Sequence, residues 1–414
     1  MNTIKTTFAI STALIGGGQL AAFDMDDFSI HGFASQGFAL STDNDWLPGS
    51  SDGTFEFNEI GLNVGAQLTD KLRVGAQLFS RDFGDLGNNQ IELDWAFGDY
   101  AYKDWLGIRV GRVKMPMGLY NEYLDLDLAR TFAIYPQAVY QPKFRDVQVA
   151  INGIELYGNV AIANAGSVDY EIFAGDSRID ASGSVGKEFD GYGLIETQTI
   201  DIKYALGGRL IYNTPLDGLR VGGSLVNYDD MRGSGPVIDA TLGGMLPFPV
   251  PGLQGEIVID HVYQYVIFGE YQWNDWVFAA EYSRLRGSSI EALVHLPDAF
   301  GGTMSVGNDS VDWEGYYLSV TRRLDEHWEV GAYYSEFHED AQDRDGDNRS
   351  SNKHRAWNNT LAVAARYDVN WNWNIKAEIQ HHDGTAQLES RFQDPGHEWE
   401  DNWQLFLLKT TFNF

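Results

Sequence analysis

The residues of this sequence whose types and spacing could do chemistry are charged and concentrated in one stretch of the chain. The candidates are Arg109, Arg112, Lys114, Glu122, Asp125, Asp127, Arg130, Lys143 and Arg145. Opposed charges that face each other across a narrow passage create a transverse field, which orients polar solutes and selects among ions. An ordinary solvated loop at the edge of the protein is the alternative interpretation of the same residues.

A catalytic, metal-binding or nucleic-acid-binding interpretation finds little support in the composition. The chain has no cysteine, which excludes thiolate metal sites and cysteine nucleophiles. It has no Gly-x-Ser-x-Gly or His-Glu-x-x-His motif, and the acidic run at 343–348 departs from a calcium loop because its sixth position is Asn348. With 59 acidic against 29 basic residues, the net charge of -30 opposes binding to phosphate backbones. We expect no enzyme, no cofactor, no metal and no nucleic-acid partner.

The N-terminus indicates export from the cytoplasm. Residues 1–22 combine a positive Lys5, a stretch of apolar and small residues, and Leu20-Ala21-Ala22 as a cleavage site. A buried N-terminal helix is the alternative, but the Gly16-Gly17-Gly18 run would break it. The sequence therefore predicts a signal peptide at 1–22 and one structural unit at 23–414.

The rest of the chain alternates between apolar and polar residues with a period of two. In the segment 373–380, Trp373, Ile375, Ala377 and Ile379 alternate with polar or charged residues. Successive side chains of a strand point to opposite faces, so each such segment has one apolar and one polar face. A soluble sandwich would bury the apolar face in a core, whereas a transmembrane barrel would turn it to lipid.

The lengths of the links favour the barrel. The pattern predicts about sixteen strands, at 28–40, 55–66, 72–82, 89–101, 105–114, 150–162, 167–178, 200–213, 218–229, 260–273, 276–286, 310–323, 328–338, 356–369, 373–384 and 402–414. Every second link is very short, and most of the links between them are longer and polar, as in outer-membrane barrels. Six tryptophans at or beside the short links predict an aromatic girdle: Trp105, Trp273, Trp276, Trp328, Trp371 and Trp373.

The longest link, residues 115–149, contains most of the candidate charges. Pro116, Pro136 and Pro142 argue against a strand there, and a loop of this length in a compact fold indicates a function. We expect it to fold inward as a constriction, with Arg112 and Lys114 at its root. The lumen-facing candidates on the strands are Arg73, Glu92, Asp94, Arg109, Arg209, Arg220, Glu281, Arg366, Lys376 and Glu378.

Two features carry a resemblance to known families. The alternating last strand, which ends on Phe414, resembles the assembly signal of Gram-negative outer-membrane proteins. The stretch from Arg109 to Gly118 resembles the Gly-x-x-Lys-x-Pro-x-Gly stretch of the phosphate-selective porins. This resemblance implies an all-β transmembrane antiparallel barrel with short periplasmic turns, long extracellular loops and a constriction loop.

The function implied is that of a porin, a water-filled channel for passive diffusion of small hydrophilic solutes and ions across the outer membrane of a Gram-negative bacterium. A substrate-specific facilitator, for phosphate or other small anions, is the alternative. The implied partners are outer-membrane lipid and lipopolysaccharide, the assembly machinery through Phe414, and two further copies of the chain in a homotrimer.

Overall fold

The computed structural model describes residues 28–246, 249–297 and 302–414, with the side chains of residues 288 and 289 left out. The predicted signal peptide at 1–22 lies outside these residues. No helix in the described ranges is long and apolar enough to cross a membrane.

The architecture is a closed barrel of sixteen antiparallel strands, in which each strand pairs with its neighbours along the chain and β1 pairs with β16. The strands are β1 Phe28–Ser41, β2 Phe57–Thr69, β3 Leu72–Phe83, β4 Ile91–Lys103, β5 Leu106–Lys114, β6 Ala150–Ala161, β7 Ser167–Ile179, β8 Thr199–Asn213, β9 Leu219–Pro236, β10 Gln254–Trp273, β11 Trp276–His295, β12 Thr303–Arg323, β13 Trp328–His338, β14 Trp357–Asn370, β15 Trp373–Gly384 and β16 Asn402–Asn413. Two short α-helices lie in the links, α1 Arg145–Gln148 and α2 Ser184–Gly191. The predicted fold class and strand count are confirmed.

Four strands are longer than the sequence pattern predicts. β9 continues to Pro236, β10 begins at Gln254, and the β11–β12 pair extends to His295 and Thr303. The added residues include many glycines and polar residues, so their alternation gives only a weak strand signal. The backbone ladder and buried inward-facing side chains such as Ile257, Ile290 and Val294 keep them extended beyond the apolar band.

The two faces of the sheet point as a membrane barrel requires. On β15, Lys376 and Gln380 are 0% exposed, whereas Ile379 between them in the alternation is 53% exposed. Val363, the partner of Ile379 on β14, is 59% exposed. Apolar side chains therefore cover the outside while charged ones face the interior, which excludes the sandwich with its apolar core.

Short and long links lie on opposite rims. The short rim holds links such as 70–71, 104–105, 274–275 and 371–372, and the other rim holds links such as 42–56, 115–149 and 385–401. Trp105, Trp273 and Trp371 project from the short rim, half or more exposed, so the predicted girdle is present. The terminal residue also lies here, where the Phe414 and Gly32 backbones exchange two hydrogen bonds of 3.0 Å.

The exposed apolar face makes a direct test of the barrel possible. Val363 lies near the middle of β14 and faces outward, so Val363→Arg would place a charge in hydrocarbon. We expect a loss of about 2–4 kcal/mol in the free energy of unfolding from lipid vesicles, measured by urea titration. Asp70→Arg, in an exposed turn, is the matched control. Equal stability of the two variants would mean that the outer face meets water.

Candidate channel constriction

Residues 115–149, called here the crossing segment, leave β5 and run inside the barrel. The turn inward occurs at Gly118, whose φ is +58°. Its N–H donates to Ser224 Oγ at 2.9 Å, and its carbonyl accepts from Arg209 at 3.0 Å. A Cβ at this position would lie 2.6 Å from both Glu281 Oε1 and Tyr140 OH. Glycine is therefore required by the backbone conformation and by the lack of space.

Inward-facing side chains of the strands hold the backbone of the crossing segment. The Leu119 N–H donates to Glu281 at 2.8 Å, and the Ala133 N–H donates to Glu378 at 2.7 Å. In the opposite sense, Lys376 donates to the Asp127 carbonyl at 2.7 Å. Charged groups on the strands thus satisfy backbone groups that the segment itself leaves unpaired.

The contacts come from opposite sides of the barrel. Arg209 on β8 forms an ion pair with Glu122 of the segment, and Lys409 on β16 lies 3.1 Å from Asp127. These two strands stand eight positions apart in the ring of sixteen. The crossing segment therefore spans the lumen.

Asp127 is the centre of one charge cluster. Its carboxylate is almost fully buried, lies 3.1 Å from Lys409 and 3.6 Å from Lys376, and also contacts Arg130 and Thr411. Burial alone would raise the pKa of Asp127, but Lys376, Lys409 and Arg130 hold that pKa well below its ordinary value. The carboxylate stays charged at neutral pH and links the segment to β15 and β16.

A second cluster joins the two ends of the crossing segment to β4. Arg145 donates to Asp94 at 2.7 Å and to Asp125 at 3.0 Å, while Lys114 donates to Asp125 at 3.1 Å. Burial would raise the pKa of Asp125, but Arg145 and Lys114 lower it. Burial would likewise lower the pKa of Arg145, and the two carboxylates raise it instead. Asp125 and Arg145 are therefore ionised together.

The remaining candidates lie at different levels of the barrel. Arg109 faces the lumen on β5, where it donates to Glu155 at 2.9 Å. Lys143 lies toward the rim of long links, 3.6 Å from both Glu188 and Glu389. The structure thus brings Lys114, Asp125 and Arg145 into one group and joins Asp127 to Arg130 in another. Glu122 contacts the first group only through its carbonyl, which accepts from Lys114 at 3.1 Å. Arg109 and Lys143 lie apart from both groups.

Arg112 does not lie where the sequence predicts it. Strand alternation turns it outward, into a groove that it shares with Val110 and Ile154, which are 57% and 44% exposed. Its Nε donates to the Asp94 carbonyl at 2.9 Å. The prediction for Arg112 at the root of the constriction is wrong, because Arg112 lies three positions after the inward-facing Arg109, and an odd offset along a strand turns a side chain to the other face. Lys114 is the last residue of β5, where the crossing segment begins, and its place at the root of a constriction stays a prediction.

Glu59, Lys409 and Thr411 also hold the segment and were not among the candidates. Lys409 donates to Glu59 at 2.6 Å as well as to Asp127. The inward face of β16 includes Leu405 and Leu407, which are buried. Because both faces of this strand are apolar, alternation alone could not assign Lys409 to the lumen.

The structure has a closed barrel, an apolar outer face and a charged segment inside. These three features define the class as a transmembrane β-barrel of the porin type.

No protein-family model matches the chain, and no curated protein matches it in sequence. Among solved structures it is similar to OmpF of Salmonella typhi in complex with daunomycin, with a TM-score of 0.56 and 12% identity over 94% of this chain and 97% of that one. An anion-selective porin from Comamonas acidovorans gives 0.55 and 12% over 94% and 99%. The outer-membrane expressed OmpT of Vibrio cholerae gives 0.55 and 10% over 95% and 99%. The fold is that of outer-membrane porins.

The contacts of Lys376 predict a large effect of its loss. Lys376→Met removes the donor to the Asp127 and Phe132 carbonyls and leaves part of a buried charge cluster unbalanced. We expect about 3–5 kcal/mol of destabilisation in urea unfolding. Lys71→Met, whose ammonium donates to Tyr102 at an exposed turn, should change stability by less than about 1 kcal/mol. Similar losses in both variants would contradict the role given to Lys376.

The depressed pKa of Asp127 predicts a pH-dependent contribution. A carboxylate with a lowered folded-state pKa stabilises the fold above its unfolded pKa, 3.8, and this contribution disappears as the pH falls through the folded-state value. Asp127→Asn should therefore be clearly less stable than the parent at pH 7 and pH 5. The difference should shrink below about pH 4. A difference in unfolding free energy that stays constant from pH 7 to pH 3 would refute the ion-pair account.

Proposed function

We propose that the protein is a porin of the Gram-negative outer membrane, which passes small hydrophilic solutes and ions down their gradients. The observation that carries this proposal is the crossing segment itself, with paired charges of both signs, inside a barrel whose outer face is apolar. A closed ring of sixteen strands leaves an interior too wide for its own side chains to fill. Residues 115–149 narrow this interior and act as the constriction.

Polar cavity walls support a route for hydrophilic solutes. Toward the short rim, a cavity of about 440 Å³ lies between the crossing segment and the strands. Its lining includes Arg130, Arg220, Glu270 and Arg366, so charges of both signs border it. Fixed charges at such a position weight the passage of ions by sign and orient dipolar solutes. We assign no enzymatic activity to the barrel.

The environment of the chain follows from the same assignment. The short rim would face the periplasm and the long links the exterior, where lipopolysaccharide would surround them. Residues 1–22 would direct export, and the last strand with Phe414 would be recognised by the assembly machinery. A homotrimer would give the outward-facing Arg112 a protein partner, which is favourable because an arginine in contact with hydrocarbon is costly.

A substrate-specific facilitator for phosphate or other small anions is the second candidate. Its support is the Gly-x-x-Lys-x-Pro-x-Gly stretch, in which Lys114 and Gly118 hold the crossing segment at its inward turn. In this chain Lys114 is engaged by Asp94 and Asp125. An anion would therefore have to compete with two carboxylates, which favours the general pore.

Replacing part of the crossing segment tests the constriction. A short Gly-Ser linker in place of residues 126–137 removes Asp127, Arg130 and the groups that Lys376 and Glu378 bind. We expect larger single-channel conductance in planar bilayers, and faster liposome swelling with larger sugars. Shortening the link at 340–351 by the same number of residues is the control and should leave both unchanged.

Two outcomes would count against the proposal. Folded parent protein with neither conductance nor swelling would reject the pore. Equal conductance of the parent and the 126–137 variant would place the constriction elsewhere in the barrel.

A further inference from the structure

The interior has a second cavity, which differs in character from a hydrophilic passage. It lies on the other side of the crossing segment, toward the long links, and its volume is about 570 Å³. Its walls come from the crossing segment, from β9 to β13 and from three long links. Its apolar lining includes Phe144, Leu285, Val311, Trp313 and Phe337. We call this space the vestibule cavity.

The apolar lining is more than a seal between loops and strands. Phe144 stacks parallel to Trp313 at 6.3 Å between ring centroids, and Trp313 contacts Phe337 at 5.6 Å. Side chains that only sealed the loops would pack until the space between them closed. Here a space of the size typical of small-molecule sites remains beside them. Water makes few hydrogen bonds to apolar walls. An apolar ligand that displaces this water would therefore bind with a favourable free energy.

One buried polar atom in this wall has no partner. Trp313 is 4% exposed, and its Nε1–H donates no hydrogen bond within the described part of the chain. A buried donor without an acceptor destabilises the protein, because it has lost its hydrogen bond to water and gained none in return. A ligand with an acceptor atom would satisfy this indole N–H while its apolar part contacts the rings.

The charged groups at the mouth of the cavity leave one cation without an ion pair. Glu188 and Glu389 both lie 3.6 Å from Lys143, and Glu339, which also borders the cavity, is paired with Arg349, which does not border it. The cavity also borders Arg355, whose guanidinium stacks over Trp399 at 4.4 Å.

Among the described residues, no carboxylate forms a salt bridge or hydrogen bond with Arg355. An arginine in this state is a site for a carboxylate, which it can bind through two parallel hydrogen bonds.

We propose that the vestibule cavity binds solutes that combine an aromatic ring with a single carboxylate, and that this binding selects them for uptake. The ring would lie against the wall formed by Leu285, Val311 and Phe337, an acceptor would meet the Trp313 N–H, and the carboxylate would meet Arg355. The selective role rests on the proposed channel function, while the binding itself does not. The net negative charge of the chain would repel the carboxylate of such a solute. Its contact with the partly desolvated Arg355 would outweigh this repulsion, because solvent and salt screen a short-range contact less than the repulsion from distant charges.

Calorimetric titration of the folded, detergent-solubilised full chain tests the site. The probes are benzoate, neutral benzyl alcohol and cationic benzylamine, which share one ring, with protein-free micelles as the blank. We expect benzoate to bind about tenfold more tightly than benzyl alcohol, as a charge-assisted hydrogen bond implies. Benzylamine should bind most weakly. A parent protein that binds benzoate no better than benzylamine would overturn the proposal.

Three variants separate the parts of the site. Arg355→Gln should reduce benzoate binding to the level of benzyl alcohol. Trp313→Phe keeps a ring and removes the N–H, so it should weaken the binding of 4-acetylbenzoate, which has an acceptor besides its carboxylate, several-fold and leave benzoate binding unchanged. Lys353→Gln is the matched control, since Lys353 belongs to the same link, pairs with Asp347 and, like Asp347, does not border the cavity. Benzoate binding unchanged in Arg355→Gln, or reduced equally in Lys353→Gln, would refute the assignment.

Conductance of the same preparations keeps the two proposals distinguishable. A conducting protein without benzoate binding would reject the vestibule site and leave the channel standing. A protein that binds benzoate but does not conduct would reject the channel and leave the site standing.

Discussion

Backbone hydrogen bonding in a medium without water is the constraint on which this structure depends. Every N–H and C=O group in hydrocarbon must find a partner, and a closed ring of strands provides one for each group without leaving an edge. Closure with sixteen strands opens an interior that side chains alone do not fill. The crossing segment narrows this interior, but it brings irregular backbone of its own that also needs partners. The inward-facing side chains of the strands provide them, so the constraint that closes the barrel also shapes its interior.

The clusters around Asp127 and Asp125 show how this second requirement is met. Each carboxylate is almost fully buried and would be costly alone, yet each has at least two cations within a short distance. Lys376 and Glu378 also bind carbonyl and N–H groups of the segment. The charges therefore specify where the segment lies, because any displacement would separate a buried ion from its partner. This position-fixing role differs from general stabilisation, to which buried ion pairs contribute little net free energy.

The sequence predicts the barrel well because its signals are local. Alternation within one strand and the length of one link are read over about ten residues, and the predicted strand ends mostly lie within two residues of those observed. The interior could not be predicted in the same way. Lys409 and Asp127 are 282 residues apart in the sequence, and the residues around each of them do not indicate that the two side chains meet. Arg112 shows the opposite error, a local signal that was overlooked. Its place in a charged motif suggested that it faces the lumen, whereas the alternation of side chains along the strand turns it outward.

The two sides of the barrel interior differ in the residues that hold the crossing segment. Lys376, Lys409 and Arg145 hold the crossing segment against β14 to β16 and β2 to β4 through charge. On the other side, Met115, Val139 and Val147 pack with inward-facing apolar residues such as Val226 and Val266 on β9 and β10. That apolar surface continues past the segment into the vestibule cavity, on strands that also extend furthest from the apolar band. A solute entering from the long links would therefore meet Arg355 and the apolar wall of the vestibule cavity before it meets the paired charges that hold the crossing segment. Selection by ring contact and by a single carboxylate would come first in this order, and selection by the field of the paired charges second.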